Sequence, residues 1–269
     1  MKVNKAIILA AGKGTRFYPY TRYVPKEMLP VIDEPSFGLI LDEIAESGIT
    51  QVCVVTSPEK RILNDYICCD EVREKGLKVS TVYQEKANGT GAALLLTREF
   101  AGGEPCAVLN GDDVVYNEKR GATGQLCDYF ESDPTLIVGV QKVSREVISL
   151  YGAVDIVSEN GKARVIRGIV EKPSIEEAPS LLSSLGRYII TPEIYDYLER
   201  LKPSKSGEYV FTDAINAFAA DKGCRAYEFD GERYDFGNKL GYLEATVKYA
   251  LRRKDLGEKF AAYLKKLDK

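Results

Sequence analysis

Short runs of apolar residues, rich in Val, Ile and Leu, recur along the first half of the chain and predict buried β-strands. The predicted strands cover residues 6–10, 52–56, 79–83, 106–110 and 136–140. Segments 37–45 and 91–100, which lie between strands, carry the apolar spacing of amphipathic helices. This alternation predicts right-handed crossovers and a mostly parallel sheet. Ligands of such a sheet bind beyond the carboxyl ends of its strands.

The second half of the chain has a different rhythm. Segments 152–157 and 165–170 flank Asn160-Gly161, and Asn-Gly between two such runs is the strongest short-range hairpin signal. A strand over 186–190 and helices over 192–201 and 211–220 follow, and the last 30 residues are predicted to be helical with a break at Gly257. We therefore expect an α/β fold with one domain over 1–239 and a C-terminal helical extension over 240–269.

The first predicted strand ends in a glycine turn, residues 12–14, that is rich in positive charge. Arg16 follows the turn, and Lys26 lies ten residues further on in a segment bounded by prolines. Glycines let backbone N–H groups approach an anion, and the cations add full positive charge, so the pattern suits a triphosphate. A Walker A loop is absent, and Phe17 stands where a dinucleotide fingerprint needs its third glycine. An ordinary strand-to-helix turn explains the glycines alone equally well.

Acidic residues follow two other apolar runs. Asp112 and Asp113 come directly after the strand predicted over 106–110, and Asp235 follows the short run 227–229. Paired carboxylates at the carboxyl end of a strand suit Mg²⁺, which prefers oxygen ligands and phosphate partners. Taken alone, each of these groups is more commonly a solvated acidic turn.

Two further segments carry groups that suit a sugar phosphate and a base. Glu171 and Lys172 follow the second strand of the hairpin, although such a pair is more often a minor surface ion pair. Gln84 follows the strand over 79–83, and Gly89 comes five residues later. A glutamine amide both donates and accepts, so it can recognise the edge of a base, but a loop glutamine without that role is as good an explanation.

Composition narrows the class of protein. The net charge of −3 gives no electrostatic case for nucleic-acid or membrane binding, and no apolar run approaches a membrane span of about 18 residues. The chain contains no histidine, which excludes Ser–His and Cys–His nucleophilic pairs and histidine-ligated zinc. Its six cysteines form no Cys-x-x-Cys motif, so we expect reduced thiols and a cytoplasmic location.

Taken in order along the chain, these segments resemble the sugar-nucleotide pyrophosphorylases, and within them the bacterial-type UTP–glucose-1-phosphate uridylyltransferases. The resemblance covers about residues 5–267. It implies a three-layer, Rossmann-like nucleotidyltransferase fold of the glycosyltransferase-A type, with 1–239 as the catalytic domain. It also implies that the C-terminal helices make oligomer contacts in a homodimer or homotetramer. The chain departs from the family at Ala92, which replaces a usual histidine, at Phe236, and at 22–24.

The resemblance implies transfer of a uridylyl group from UTP to glucose 1-phosphate, with pyrophosphate as the leaving group and Mg²⁺ as the cofactor. The catalytic residues it implies are Arg16, Lys26, Asp112 and Lys172. The nucleotide-binding residues are Ala10, Ala11, Gly12, Gly14, Thr15, Gln84 and Gly89. The sugar-binding residues are Asp113, Gly152, Glu171 and Lys172, and the metal ligands are Asp112 and Asp235.

Two alternatives stay open from the sequence. The same fold can use another pair of substrates, such as dTTP with glucose 1-phosphate. A homologue that binds a sugar nucleotide without catalysis belongs to a different class, although every charged position that the chemistry needs is filled here.

Overall fold

The computed structural model describes residues 1–267 as an α/β fold with thirteen strands and ten helices. The strands are β1 (Lys5–Leu9), β2 (Pro30–Val31), β3 (Glu34–Pro35), β4 (Gln51–Thr56), β5 (Lys78–Tyr83), β6 (Cys106–Asn110), β7 (Asp113–Tyr116), β8 (Ile137–Lys142), β9 (Gly152–Asn160), β10 (Ala163–Glu171), β11 (Leu182–Ile190), β12 (Cys224–Glu228) and β13 (Glu232–Asp235). The helices are α1 (Ser36–Glu46), α2 (Arg61–Ile67), α3 (Asp70–Glu74), α4 (Thr90–Leu95), α5 (Arg98–Ala101), α6 (Ala122–Ser132), α7 (Ile194–Glu199), α8 (Phe211–Lys222), α9 (Lys239–Arg252) and α10 (Gly257–Leu267).

Nine strands form one central sheet in the order β5-β4-β1-β6-β11-β8-β12-β10-β9. Strands β10 and β11 run opposite to the other seven, which confirms the expected mostly parallel sheet. At its centre, β1 pairs in parallel with β4 on one side and β6 on the other. The connections that leave these three strands therefore start from the same edge of the sheet.

The far end of the sheet closes on itself. Strand β9 pairs with its hairpin partner β10 and also with β11, where Ser184 lies opposite Gly152. Strands β11, β8, β12, β10 and β9 thus form a ring of paired strands. At the carboxyl end of β10, Glu171 lies opposite Gly152, so only β9 separates this end from β11, which itself pairs with β6.

Side chains of the central strands alternate between two apolar layers, as the period of a β-strand requires. On β1, Ile8 packs in the layer that contains α1, α6 and α9, whereas Ile7 packs in the layer that contains α4, α7 and α8. Helices on both faces of the sheet give the expected three-layer arrangement. No helix within residues 1–267 combines the length and the apolarity needed to cross a bilayer.

Several predicted element bounds were wrong. The helix predicted over 91–100 divides into α4 and α5, because the hydroxyl of Thr97 donates to the Leu94 carbonyl and competes with helical hydrogen bonding. The C-terminal break lies at residues 253–256, and Gly257 is the first residue of α10. The predicted extension, 240–269, runs two residues past the described part of the chain.

Helix α9 is packed onto the rest of the fold. Ala245 is fully buried in the apolar layer that contains α1, the ring of Tyr249 meets that of Tyr234 at 5.9 Å, and the hydroxyl of Tyr242 donates to the Pro30 carbonyl over 2.8 Å. The helix therefore covers β13, the strand that ends at Asp235.

A buried ion pair joins the sheet to the helices on one face. Arg187, on β11, contacts both carboxylate oxygens of Glu43 on α1, over 3.0 and 2.7 Å, and Thr123 on α6 donates to the same carboxylate. Burial raises the pKa of Glu43, but the Arg187 guanidinium outweighs that effect and holds the pKa below its ordinary value. Arg187 also donates to the Asp113 carbonyl over 2.8 Å, so the pair supports the loop after β6.

We expect Arg187→Met to lower the free energy of unfolding by about 3–5 kcal/mol, because it leaves the Glu43 carboxylate buried without its partner. Urea denaturation monitored by circular dichroism measures this loss. The control is Arg98→Met, which removes an ion pair with Asp196 on the surface, and it should cost far less. Equal losses in the two variants would contradict the role given to the buried pair.

Candidate active site

A cavity of about 730 Å³ lies at the edge of the sheet where the connections after β1 and β6 leave. Eight of the residues predicted for the site line it, namely Ala11, Gly12, Lys26, Gln84, Gly89, Asp112, Glu171 and Lys172. They come from connections that lie far apart in sequence, between residue 11 and residue 172. Most of them follow the carboxyl ends of parallel strands, where the ligands of such a sheet are expected to bind.

The glycine turn and Lys26 form one structural unit. A Cβ built on Gly14 would lie 3.2 Å from the Lys26 Cβ, and one built on Gly12 would lie 3.6 Å from the Lys26 Nζ. Gly14 has a φ of 65°, which strains other residues, and its carbonyl accepts from Thr21 over 2.6 Å. The lysine side chain therefore lies along the glycine turn, and its ammonium group stands beside Gly12.

The Lys26 ammonium forms an ion pair with the Asp112 carboxylate. Burial lowers the pKa of Lys26, but the Asp112 and Glu27 carboxylates outweigh it and raise the pKa above its ordinary value. The pKa of Asp112 is raised by burial and lowered by Lys26, with a net fall. Both groups are therefore charged at neutral pH, and the pair joins the loop after β1 to the loop after β6.

Asp235 and Arg16 lie around Gly237, next to Asp112. A Cβ built on Gly237 would lie 2.7 Å from the Asp235 Oδ1, 3.1 Å from an Arg16 nitrogen and 3.5 Å from the Asp112 Oδ2. The Gly237 N–H donates to Asp235 over 2.7 Å, and Arg16 donates to the Gly237 carbonyl over 3.2 Å. Two carboxylates thus approach one point, and their oxygen donors fit a hard divalent cation. Among residues 1–267, no cluster of three or more metal-ligating side chains is found.

Asp113 does not line the cavity. It is buried, and its Oδ1 accepts from the Arg233 Nε over 2.7 Å. Burial raises the pKa of Asp113, with Arg233 opposing and the Asp112 and Asp235 charges adding to the rise. Strand β13 pairs with β7 so that Asp235 lies opposite Asp113, and Arg233 stands between their charges.

Gln84 and Gly89 lie together for a reason that the sequence did not show. The Gln84 side-chain nitrogen donates to the Asn88 Oδ1 over 3.0 Å and to the Gly89 carbonyl over 3.1 Å. Gly89 has a φ of 111°, and a Cβ there would come within 2.3 Å of the Tyr209 carbonyl oxygen. The glycine is thus required by the neighbouring backbone, and the carbonyl oxygen of the Gln84 amide is left for a ligand.

Glu171 and Lys172 reach the cavity from the end of β10. The Lys172 N–H donates to the Tyr151 carbonyl over 3.1 Å, and the residue has a φ of 45°. A Cβ on Gly152 would lie 3.2 Å from the Glu171 Oε2, so the glycine leaves room for that carboxylate. Thr212 donates to the same oxygen over 3.3 Å.

Seven of the predicted residues do not line this cavity, namely Ala10, Gly14, Thr15, Arg16, Asp113, Gly152 and Asp235. The surroundings of Ala10 and Thr15 separate them from it. The buried Ala10 donates from its N–H to the Val55 carbonyl and accepts at its carbonyl from Lys60, so its backbone is already fully used by the protein. Thr15 is exposed and begins a 3₁₀ turn that follows the glycine turn.

The three places at which the chain departs from the family pattern lie in different surroundings. Ala92 lines a neighbouring groove, together with Tyr83 and Leu96, and this groove shares Gln84 with the main cavity. Phe236 is fully buried, with its ring 5.8 Å from that of Tyr242. Arg22 and Tyr23, by contrast, line a cavity of about 520 Å³ that shares Gly12 and Lys26 with the main one.

Sequence reasoning missed four charged residues that shape the site. Glu27 and Lys60 form a buried ion pair below the glycine turn, Arg233 lies between two aspartates, and Glu208 lines the cavity. The place of Lys60 in the sequence could have marked it as a candidate, because it lies in the connection after β4, and β4 ends at the same edge of the sheet as β1. Arg233 and Glu27 are direct or near neighbours of predicted residues.

Comparison with known proteins identifies the family of this chain. Residues 5–252 match the family model for nucleotidyl transferases. The UTP–glucose-1-phosphate uridylyltransferase of Staphylococcus haemolyticus is 39% identical over 99% of both chains. A protein of the same name from Bacillus subtilis is also 39% identical, over 99% of this chain and 97% of its own.

Solved structures give the same result. A UDP-glucose pyrophosphorylase complexed with UDP-glucose has a TM-score of 0.88 at 35% identity, covering 93% of this chain and 100% of that one. A UTP-bound UGPase from Acinetobacter baumannii also has a TM-score of 0.88, at 30% identity, covering 97% of this chain and 98% of its own. Because the family model matches most of the chain, and because relatives are similar to it over nearly their whole length, the chain belongs to the nucleotidyl transferase family.

Proposed function

We propose that this protein transfers a uridylyl group from UTP to glucose 1-phosphate and releases pyrophosphate. The observation that carries the proposal is one cavity in which Lys26, paired with Asp112 beside the glycine turn, faces Glu171 and Lys172. Relatives that are alike from end to end bear the name of this activity. The protein is accordingly an enzyme of the nucleotidyltransferase class.

The reaction is an in-line displacement at the α-phosphorus of UTP. A phosphate oxygen of glucose 1-phosphate forms the new P–O bond, and the bond to the bridging oxygen of pyrophosphate breaks. The attacking phosphate is already ionised at neutral pH, so the enzyme needs no histidine base. Catalysis then depends on positioning and on neutralising negative charge.

In this proposal the glycine turn and its cations hold the leaving group. The backbone N–H groups of 11–14, with Arg16, contact the β- and γ-phosphates, and Thr15 lies beside them. Lys26 neutralises charge on the α-phosphate as the bond to pyrophosphate breaks. Its ammonium lies beside Gly12, so a small movement away from Asp112 suffices.

The other predicted residues divide between the base and the sugar. The carbonyl oxygen of the Gln84 amide accepts from the uracil N3–H, because both amide N–H groups already donate to Asn88 and Gly89. Lys172 contacts the sugar phosphate and Glu171 the sugar hydroxyls, with Gly152 leaving room for the carboxylate. Asp113 acts on the site indirectly, by accepting a hydrogen bond from Arg233 and so holding its guanidinium in place.

Mg²⁺ fits the carboxylates of Asp112 and Asp235, since both approach Gly237 and offer only oxygen donors. When bound, the ion supplies positive charge to the phosphates. Asp112, in the loop after β6, and Asp235, at the end of β13, would hold the ion between them.

We also propose a homodimer or homotetramer assembled through the C-terminal helices. Leu240, Leu243, Val247 and Leu251 recur along α9 at helical spacing, and Leu240 and Leu243 are 66% and 58% exposed. A contiguous apolar stripe on a helix is typical of a surface that binds a partner. Cytoplasmic location is supported by six cysteines with free thiols, four of them buried.

Lys26→Ala should lower kcat for the release of pyrophosphate from UTP and glucose 1-phosphate by about 10²–10³-fold, because it removes a cation that contacts the reacting phosphate. A coupled pyrophosphate assay measures the rate, with Lys222→Ala, at an exposed position on α8, as the control. Near-normal turnover would remove Lys26 from the mechanism.

A panel of nucleoside triphosphates in the wild-type assay tests the choice of UTP over dTTP. If no pyrophosphate is released with any sugar phosphate, the protein binds a sugar nucleotide without catalysis.

Removal of divalent metal should abolish activity. EDTA is expected to stop pyrophosphate release and excess Mg²⁺ to restore it, while Asp112→Asn remains inactive at any Mg²⁺ concentration because the ligand is neutral. Titration calorimetry of Mg²⁺ with UTP present gives a second measurement, and Asp65→Asn on the exposed face of α2 is the control. Unchanged wild-type activity in EDTA would show that the metal role is wrong.

Leu243→Glu should shift the sedimentation coefficient from that of an oligomer to that of a monomer, because it places a charge in the apolar stripe of α9. Leu150→Glu is the matched control, since Leu150 is also 58% exposed but lies in a 3₁₀ turn elsewhere. A wild-type protein that sediments as a monomer would exclude the proposed assembly.

A further inference from the structure

A buried ion pair lies beneath the glycine turn, and its lysine, Lys60, lines the smaller cavity that shares Gly12 and Lys26 with the main one. The Lys60 ammonium donates to both carboxylate oxygens of Glu27, over 2.8 and 2.9 Å, and to the Ala10 carbonyl over 2.6 Å. Glu27 is fully buried, and the Lys60 side chain is only 11% exposed. One ammonium group therefore connects the end of β1, the turn that carries Lys26 and the connection after β4.

The bond to Ala10 fixes the orientation of the first peptide of the glycine turn. A trans peptide directs its carbonyl and its N–H in opposite directions. Because the Ala10 carbonyl points to the Lys60 ammonium, the Ala11 N–H points away from it. Ala11 lines the main cavity, so this orientation makes its N–H available to a phosphate there.

The bond to Glu27 fixes the neighbouring residue, Lys26. Both belong to the 3₁₀ turn Lys26–Met28, and the hydroxyl of Ser36 donates to the Glu27 carbonyl over 3.0 Å. With its side chain held by Lys60 and its carbonyl by Ser36, Glu27 leaves this turn little freedom to rotate. Lys26 is thereby kept along the glycine turn, where its ammonium meets Asp112.

We propose that Lys60 and Glu27 are positioning residues for the transfer reaction, aligning the Ala11 N–H and the Lys26 ammonium on the triphosphate; this inference rests on the proposed function. In this proposal Lys60 does not itself bind phosphate, although it lines the smaller cavity. Its ammonium already contacts the Ala10 carbonyl and both carboxylate oxygens of Glu27. The pair acts on substrate only through the two groups that it holds.

A structural role and a positioning role give different results when the whole pair is removed. Removing one partner leaves a buried charge and destabilises a fold, whereas replacing both by apolar residues of similar volume is often neutral. The double variant Glu27→Met/Lys60→Met should therefore recover the melting temperature lost in Lys60→Met. It should still show kcat/KM for UTP lowered by about 10²-fold, the effect expected of misplaced catalytic groups. The KM for glucose 1-phosphate should stay near that of the wild type.

The matched control is Lys5→Met at the opposite end of β1. Lys5 is also 11% exposed, and its ammonium likewise contacts one carboxylate, Glu104, and backbone carbonyls, those of Phe100 and Ala101. Its loss should lower the melting temperature and leave kcat/KM for UTP, normalised to folded protein, unchanged. A normal kcat/KM in the double variant would overturn the proposal.

Lys60→Arg supplies an independent measurement if the double variant does not fold. The guanidinium keeps the charge and the pairing with Glu27, but its planar, longer shape displaces the Ala10 carbonyl. A lowered kcat/KM for UTP at an unchanged melting temperature supports positioning, and an unchanged kcat/KM overturns it. A wild-type enzyme inactive with UTP and glucose 1-phosphate would instead refute the proposed function, so the two failures are distinguishable.

Discussion

The ion pair between Lys26 and Asp112 is the interaction on which the site depends. It connects the loop after β1 to the loop after β6, two parallel strands that lie side by side. Each partner is flanked by a second charge of opposite sign, with Glu27 next to Lys26 and Arg233 near Asp112. Because each charge is balanced locally, a group of cations and carboxylates can remain ionised at the edge of a buried sheet.

The same charges explain how the site can work without histidine. A triphosphate brings several negative charges, and in its absence Lys26, the cation proposed to meet it, is paired with the Asp112 carboxylate. In the proposed mechanism Lys26 exchanges a carboxylate oxygen for a phosphate oxygen, so that this cation is paired in both states. The same proposal keeps Lys60 with Glu27, so that the turn stays in place while Lys26 changes partner.

Much of the fold follows from the sequence, because continuous apolar runs of five or six residues mark strands buried on both faces. The same reasoning missed β7 and β13, which are four residues long and pair only with each other. It singled out Asp112 because that residue follows a predicted strand, and Lys26 because it lies in a proline-bounded segment after the glycine turn. It missed Glu27, Lys60 and Arg233, since their importance lies in contacts between distant segments that no local pattern records.

Glu171 and Lys172 show where the carboxyl-end rule stops being sufficient. Strand β10 runs opposite to β1, so in a flat sheet its carboxyl end would lie at the edge away from the glycine turn. Glu171 lies opposite Gly152 on β9, and the pairing of Gly152 with Ser184 joins this end of the hairpin to β11 and so to the strands near β6. The parallel half of the sheet thus supplies the glycine turn and Lys26, and the closed half returns Glu171 and Lys172 to the same cavity. In the proposed reaction the two substrates meet at one phosphorus atom. The residues proposed to contact them come from two differently built halves of one sheet.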